Sequence, residues 1–310
     1  MDNVKDNAKR EGNTSSGGFC RGLGASNGGF CCGSGERLGG GLSGKYPLTG
    51  RENHPENTVV KVGNATIGDG EFDFIAGPCA VESEKQIIET ATALKKSGVK
   101  ILRGGAYKPR TSPYSFQGLG KEGLKFLRKA KEETGLAVVT EITDLRTLDL
   151  FDGIDMIQIG ARNMQNFELL KEVGKFGKPV LLKRGFVNTV EEWLMSAEYI
   201  ASNGALDIVL CERGVRTFET LTRNTLDLGI IPLVKELTRL PVIIDPSHAS
   251  GNKKLIRPLT LAAAAVGADG AIIECCVSPE NAVCDGEQAI TPEELKDIIS
   301  TAAKVREASR

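Results

Sequence analysis

The chain has 310 residues, 40% of them hydrophobic, which suits one large α/β domain with a substantial core. Lys and Arg total 39 against 40 Asp and Glu, a net charge of -1, which excludes the strong positive field that holds nucleic acid or an anionic membrane. No window reaches the roughly 18 apolar residues of a membrane span, and the mixed-charge start MDNVKDNAKR, which leads into no apolar stretch, is not expected to act as a secretion signal. We therefore expect a cytoplasmic protein whose eight cysteines are mostly free thiols.

Residues 1–45 are rich in Gly, Ser and Asn and poor in branched apolar residues. Ordering so many glycines costs entropy with no apolar burial to offset it, so this leader is expected to be disordered. Cys20, Cys31 and Cys32 lie in it, with poor spacing for a metal site. Residues 46–71 form an extension in which TVVKV and ATI flank Gly63-Asn64, predicting a short hairpin placed to cover one end of a barrel.

Residues 72–310 repeat one unit: a short apolar run, a loop, then a helical pattern. The runs are 72–77, 99–104, 136–141, 155–160, 179–185, 206–214, 241–247 and 268–275. Helices are expected at 84–97 with Ser83 as cap, at about 121–134 before Gly135, at 163–176, after the cap Thr189, at about 226–239, and at 255–267 with Pro258 in its first turn. TDLRTLDLF reads as a short helix. The last helix has Thr291 as its cap and Pro292 at its first helical position. The runs are continuously apolar, as parallel strands covered by helices should be. Eight such units predict a (β/α)8 TIM barrel, with a doubly wound open sheet as the runner-up.

Barrel active sites gather at the C-terminal ends of the strands. There the chain places Cys79, Arg103, Glu141, Arg162, Lys183, Arg213, His248 and Glu274, with Asp285 in a following loop. A thiol, an imidazole and two carboxylates (Cys79, His248, Glu274, Asp285) form a credible site for one divalent ion of Mn, Fe, Zn or Co, and the mixed donors select none of these. Six cations, Arg103, Lys108, Arg110, Arg162, Lys183 and Arg213, converging on one mouth need anions between them. Thr111 and Ser112 beside Lys108 and Arg110 suggest a second phosphate cradle. The pattern points to a two-substrate reaction of small phosphorylated molecules.

These residues lie in long motifs: GPCAVES at 77–83, LRGGAYKPRTSPYSFQGLG at 102–120, QIGARNMQNFELLKEVGKFGKPVLLKRG at 158–185, VLCERGVRTFE at 209–219, TRNTLDL at 222–228, DPSHASG at 245–251 and SPENAVCDGEQAITPEE near the end. Over about residues 47–305 the chain closely resembles the 3-deoxy-D-arabino-heptulosonate 7-phosphate synthases, in the short class that also resembles the 3-deoxy-D-manno-octulosonate 8-phosphate synthases. KPRTSP favours the first, because the octulosonate enzymes carry an asparagine before their Arg-Thr-Ser. The resemblance implies condensation of phosphoenolpyruvate with D-erythrose 4-phosphate. It implies Cys79, His248, Glu274 and Asp285 as metal ligands, and no organic cofactor. It also implies Arg162, Lys183 and Arg213 around phosphoenolpyruvate, with Arg103 and Lys108 at its carboxylate. Arg110, Thr111 and Ser112 would face the sugar phosphate. Lys108, His248 and Glu141 are the catalytic candidates, and a homodimer or homotetramer is implied. Two features depart from the family: Cys275-Cys276-Val277 stands where a histidine is usual, and the leader is too short and Gly-rich for a fused regulatory domain. Inhibition by aromatic amino acids is therefore not expected to be built in. The competing readings are an octulosonate synthase and a noncatalytic barrel that binds phosphorylated metabolites.

Overall fold

A computed structural model describes residues 44–310. The leader, including Cys20, Cys31 and Cys32, lies almost wholly outside the described residues. Strands β1 (Val60–Val62) and β2 (Ala65–Ile67) pair antiparallel around Gly63-Asn64. Gly63 has φ of 58°, the left-handed value that a two-residue hairpin needs at its first central position and that glycine adopts without strain.

Eight parallel strands come next: β3 (Asp73–Gly77), β4 (Ile101–Arg103), β5 (Ala137–Ile142), β6 (Met156–Ile159), β7 (Val180–Lys183), β8 (Ile208–Glu212), β9 (Val242–Ile244) and β10 (Gly270–Glu274). Each pairs with the next, and β10 pairs back onto β3, closing a barrel. Closure rules out the open doubly wound sheet. The α-helices of the described residues are α1 (Glu84–Lys96), α2 (Lys121–Thr134), α3 (Phe167–Phe176), α4 (Val190–Ala201), α5 (Ile230–Leu237), α6 (Pro246–Ser250), α7 (Lys253–Ala265) and α8 (Pro292–Ala308).

The outer face of the barrel and the inner faces of the helices form one apolar cluster. Trp193, fully buried on α4, donates its indole N–H to Leu182 O at 3.2 Å. Helix ends are set by side chains that satisfy free backbone donors. Ser83 caps α1, and Thr189 with Glu192 and Thr291 with Glu294 make reciprocal capping boxes on α4 and α8.

The barrel interior is stacked in layers by the two-residue period of its strands. At the bottom, Val60, Val62, Ala65 and Ile67 of the hairpin share one cluster with Ile75, Ile101, Val139, Met156, Leu181, Val209, Ile243 and Ile272. The hairpin thus plugs the N-terminal end. Two residues further along the same strand faces come Gly77, Arg103, Glu141, Gln158, Lys183, Asp245 and Glu274. A buried apolar layer therefore supports a charged one at the C-terminal mouth.

Several expected boundaries move for local reasons. The run 241–247 is a strand only over Val242–Ile244, and Pro246–Ser250 forms the short helix α6. Asp245 accepts from His248 N at 2.9 Å and Pro246 occupies the first helical position, so cap chemistry overrides the β-branched run. Helix α7 starts early because Asn252 Oδ1 accepts from Lys254 N at 3.0 Å; Pro258 therefore lies inside the helix rather than in its first turn. Leu145–Phe151 is a 3-10 helix, and the helix expected from 163 is α3, capped by Asn166. Among the described residues, no helix is long and apolar enough to cross a membrane.

Candidate active site

The site begins where β3 ends. A Cβ on Gly77 would lie 1.8 Å from Arg103 O, so only glycine lets β3 and β4 approach this closely. Pro78 and Cys79 follow, and Cys79 Sγ lies 3.0 Å from Asp285 Oδ2. Asp285 is the one non-glycine described residue with positive φ, 54°, a backbone state that aspartate tolerates better than most residues. That turn brings a carboxylate from the loop after β10 back over the barrel.

Ligand atoms of Cys79, His248, Glu274 and Asp285 all lie within 4.8 Å of one another. A soft thiol, an imidazole and two carboxylates at this spacing fit one divalent transition ion. The surroundings hold the donors in place. His248 Nε2 is 3.0 Å from Glu274 Oε1, and its Nδ1 is 2.7 Å from Asp245 Oδ2. Glu274 also accepts from Arg103 Nη1 at 2.9 Å and from Gln288 Nε2. Burial favours a neutral ring at His248, yet the carboxylates of Asp245 and Glu274 push its pKa up to about 10. Burial likewise opposes ionisation of Glu274, but His248 and Arg103 hold its carboxyl well below the usual range.

Beside the quartet lies a cavity of about 360 Å³. It is lined by Arg103, Lys108, Arg110, Arg162, Lys183, Arg213, Arg216 and Arg223, with only Glu141 and Asp285 opposing them in charge. Such a lining is suited to anions. Lys108 Nζ donates to Cys79 O at 3.0 Å and lies 2.9 Å from Cys79 Sγ, crossing Gly105, whose Cβ would meet Lys108 Cδ at 2.7 Å. Lys183 Nζ donates to buried Asp245. Glu141 accepts from Gln158 Nε2 at 2.9 Å and sits over Gly160, where a Cβ would fall 1.9 Å from its Oε1.

The structure brings together Cys79, Arg103, Lys108, Arg110, Glu141, Arg162, Lys183, Arg213, His248, Glu274 and Asp285. Thr111 and Ser112 are exposed and do not line the cavity; Ser112 Oγ accepts from Tyr114 N at 3.3 Å. Sequence reasoning missed Arg216, Arg223, Phe186 and Cys284. Cys284 Sγ lies 2.9 Å from Cys79 Sγ, and Arg110 Nη2 donates to it. The contact between the two thiols pushes Cys79 well up and Cys284 down. For Cys284, adjacency to Asp285 was the available signal; Arg216 lies three residues beyond Arg213.

A closed barrel with a transition-ion quartet and an arginine-lined cavity at one mouth defines an enzyme class that works on phosphorylated or carboxylated small molecules. Within that class the chain belongs to the DAHP synthetase I family, whose profile matches residues 53–309. It is 53% identical over 264 residues to the phospho-2-dehydro-3-deoxyheptonate aldolase of Thermotoga maritima, covering 85% of this chain and 78% of that protein. The crystal structure of that DAHP synthase superposes with a TM-score of 0.82 at 52% identity, over 85% of this chain and 77% of the other. A truncated form of the Thermotoga maritima synthase gives a TM-score of 0.80 at 48% identity, covering 86% and 98%. A 2-dehydro-3-deoxyphosphooctonate aldolase of Desulfotalea psychrophila is 30% identical over 266 residues, covering 78% of this chain and 92% of that one.

Proposed function

We propose that the chain condenses phosphoenolpyruvate with D-erythrose 4-phosphate and water to give 3-deoxy-D-arabino-heptulosonate 7-phosphate and inorganic phosphate. The observation that carries this reading is the Cys79–His248–Glu274–Asp285 quartet, two of whose members, His248 and Asp285, line the same cavity as eight cations. A divalent ion held by those four residues supplies Lewis acidity toward the aldehyde oxygen.

The chain's own residues do the rest. Arg103 and Lys108 take the carboxylate of phosphoenolpyruvate, and Arg162, Lys183 and Arg213 take its phosphate. This fixes the methylene carbon against the aldehyde carbon, to which it bonds. Cationic character then develops at C2 of the phosphoenolpyruvate portion, and water adds there. Glu141, aimed by Gln158, positions that water, while Lys108 supplies or accepts a proton. Cleavage of the carbon–oxygen bond releases phosphate, and the guanidiniums stabilise the charge it carries away. Arg110, with Thr111 and Ser112 drawn in from their exposed loop, holds the sugar phosphate. Pro109 lines the cavity between Lys108 and Arg110, at the position where octulosonate synthases carry asparagine, which supports the four-carbon sugar.

Phosphate release assayed with phosphoenolpyruvate and each sugar phosphate tests the reading. Turnover with erythrose 4-phosphate is expected. Turnover only with arabinose 5-phosphate would reassign the chain to octulosonate synthesis, and none with either would point to the noncatalytic barrel. We also propose a cytoplasmic homodimer or homotetramer. The nearly full exposure of Tyr114 and Phe218 supports subunit contact, which light scattering would check.

A further inference from the structure

Three guanidiniums surround one aromatic ring at the cavity mouth. The Cζ atoms of Arg213, Arg216 and Arg162 lie 4.6, 4.9 and 5.4 Å from the centroid of Phe186. All four residues line the cavity. Among the described residues, no ion pair within 4.0 Å involves Arg162, Arg213 or Arg216. The cations deeper in the site are different: Arg103 is paired with Glu274, and Lys183 with Asp245. Arg213 also donates to Gly214 O at 3.4 Å and to His248 O at 3.3 Å, so uncharged groups alone hold the three like charges together.

We propose that Phe186 is a positioning residue, an uncharged platform that pre-arranges Arg162, Arg213 and Arg216 for the phosphate of phosphoenolpyruvate, and that Arg216 is a third guanidinium of that subsite. The inference rests on the function proposed above. The physical argument is a choice between two ways of holding an arginine. A carboxylate would anchor each guanidinium but occupy its donors and repel an incoming phosphate. An aromatic face attracts the cation through its quadrupole and leaves the N–H edges free for the anion. The backbone reinforces the arrangement, because Phe186 O accepts from Arg216 N at 2.7 Å and so ties the loop after β8 to the loop after β7. Arg213 is buried and Arg162 and Arg216 are exposed, so the two exposed side chains gain most from a fixed surface to lie on. Ordering long side chains before binding removes an entropy cost that the substrate would otherwise meet.

The test compares metal-loaded wild type with Phe186→Leu and Phe186→Tyr. Leucine keeps apolar bulk and removes the π-face, whereas tyrosine keeps the face. Phe186→Leu is expected to raise KM for phosphoenolpyruvate by about five- to thirtyfold, with a much smaller effect on kcat and on KM for the sugar phosphate. Phe186→Tyr is expected to restore the wild-type KM. Arg216→Ala should raise the same KM, and by a smaller factor when Leu already replaces Phe186, since the two act through one arrangement. Calorimetric titration of the loaded proteins with phosphoenolpyruvate separates this inference from the catalytic reading. Wild type that binds but does not turn over would undo the condensation and leave the platform standing. Equal affinity of wild type and Phe186→Leu, or a loss shared equally by both substrates and by the melting temperature, would overturn the platform.

Discussion

Asp245 grips His248 twice: its Oδ2 lies 2.7 Å from the ring Nδ1 and its Oδ1 accepts from the backbone N at 2.9 Å. The second contact starts helix α6 and the first leaves Nε2 facing Glu274 and the quartet. One carboxylate thus sets both the backbone turn and the direction of the imidazole, and it also receives Lys183. Asp245→Asn should weaken metal binding by about 10- to 100-fold through loss of ring orientation. It should also cost about 3–5 kcal/mol of stability, because Lys183 keeps a buried charge without its partner. Chelator competition and urea unfolding measure the two effects, and unchanged metal affinity would show that His248 is oriented by something else.

Metal loading should expel protons. Metal-free His248 is held as imidazolium, with its pKa pushed up to about 10 by Asp245 and Glu274 against burial. The Cys79 thiol is pushed well above its ordinary value by Cys284 and by burial. Both protons compete with an ion, so across about pH 6.5–8.5, below both pKa values, affinity should rise about tenfold per pH unit for each proton displaced. Titration calorimetry in buffers of different ionisation enthalpy reads the proton count. Affinity independent of pH would mean that neither donor is protonated at the start.

Asp73, at the start of β3, has its Oδ2 buried without a hydrogen-bond partner. Burial, with Asp69 adding repulsion, raises its pKa from 3.8 to about 6. The folded state therefore holds this proton more tightly than the unfolded chain. The group's contribution is fully present below pH 3.8, and it is lost as pH rises through about 6. Asp73→Asn should be more stable than wild type at about pH 8 by about 1–3 kcal/mol and should lack that slope. Denaturation series spanning acid to mildly basic pH compare the two; a variant that is less stable on the basic side contradicts the assignment.

Gly160→Ala tests the role given to Glu141. The added Cβ would fall 1.9 Å from Glu141 Oε1, the far end of a flexible side chain, so the fold should survive while the carboxylate swings away from Gln158. Turnover should drop by about a hundredfold with little change in melting temperature, the size expected for losing a positioned proton-transfer or water-orienting group. Wild-type turnover in this variant would remove Glu141 from the chemistry.

The hairpin plug carries a stability prediction. Ile67 is fully buried among the lowest barrel residues. Ile67→Ala should cost about 2–5 kcal/mol by opening a cavity there. Because the mouth lies at the opposite end of the barrel, KM values should hardly move. A small loss would mean that the hairpin docks loosely.

The eight strands were legible because parallel strands buried on both faces are written as unbroken apolar runs, and the period of two then names the charged layer above them. Glu274, Lys183 and Arg103 come directly from that rule. Loops obey no such period. Arg216, Arg223 and Phe186 lie in segments whose geometry depends on tertiary contacts, and nothing local separates them from solvated rim residues. Thr111 and Ser112 illustrate the converse: their chemistry suited a phosphate, while their loop leaves them exposed. Helix α6 was written in the chain as Asp245-Pro246, but its cap was hidden by the β-branched run just before it. Cys284 adjoins Asp285 in the chain, but only the left-handed turn at Asp285 reveals that its thiol faces Cys79.

The most direct measurement is product formation from phosphoenolpyruvate and erythrose 4-phosphate before and after complete chelation, with single metals then restored. Activity should vanish in the stripped protein and return with a divalent transition ion, and replacing Cys79 or His248 should prevent that return. Undiminished turnover in protein shown to be metal-free would contradict the account at its centre.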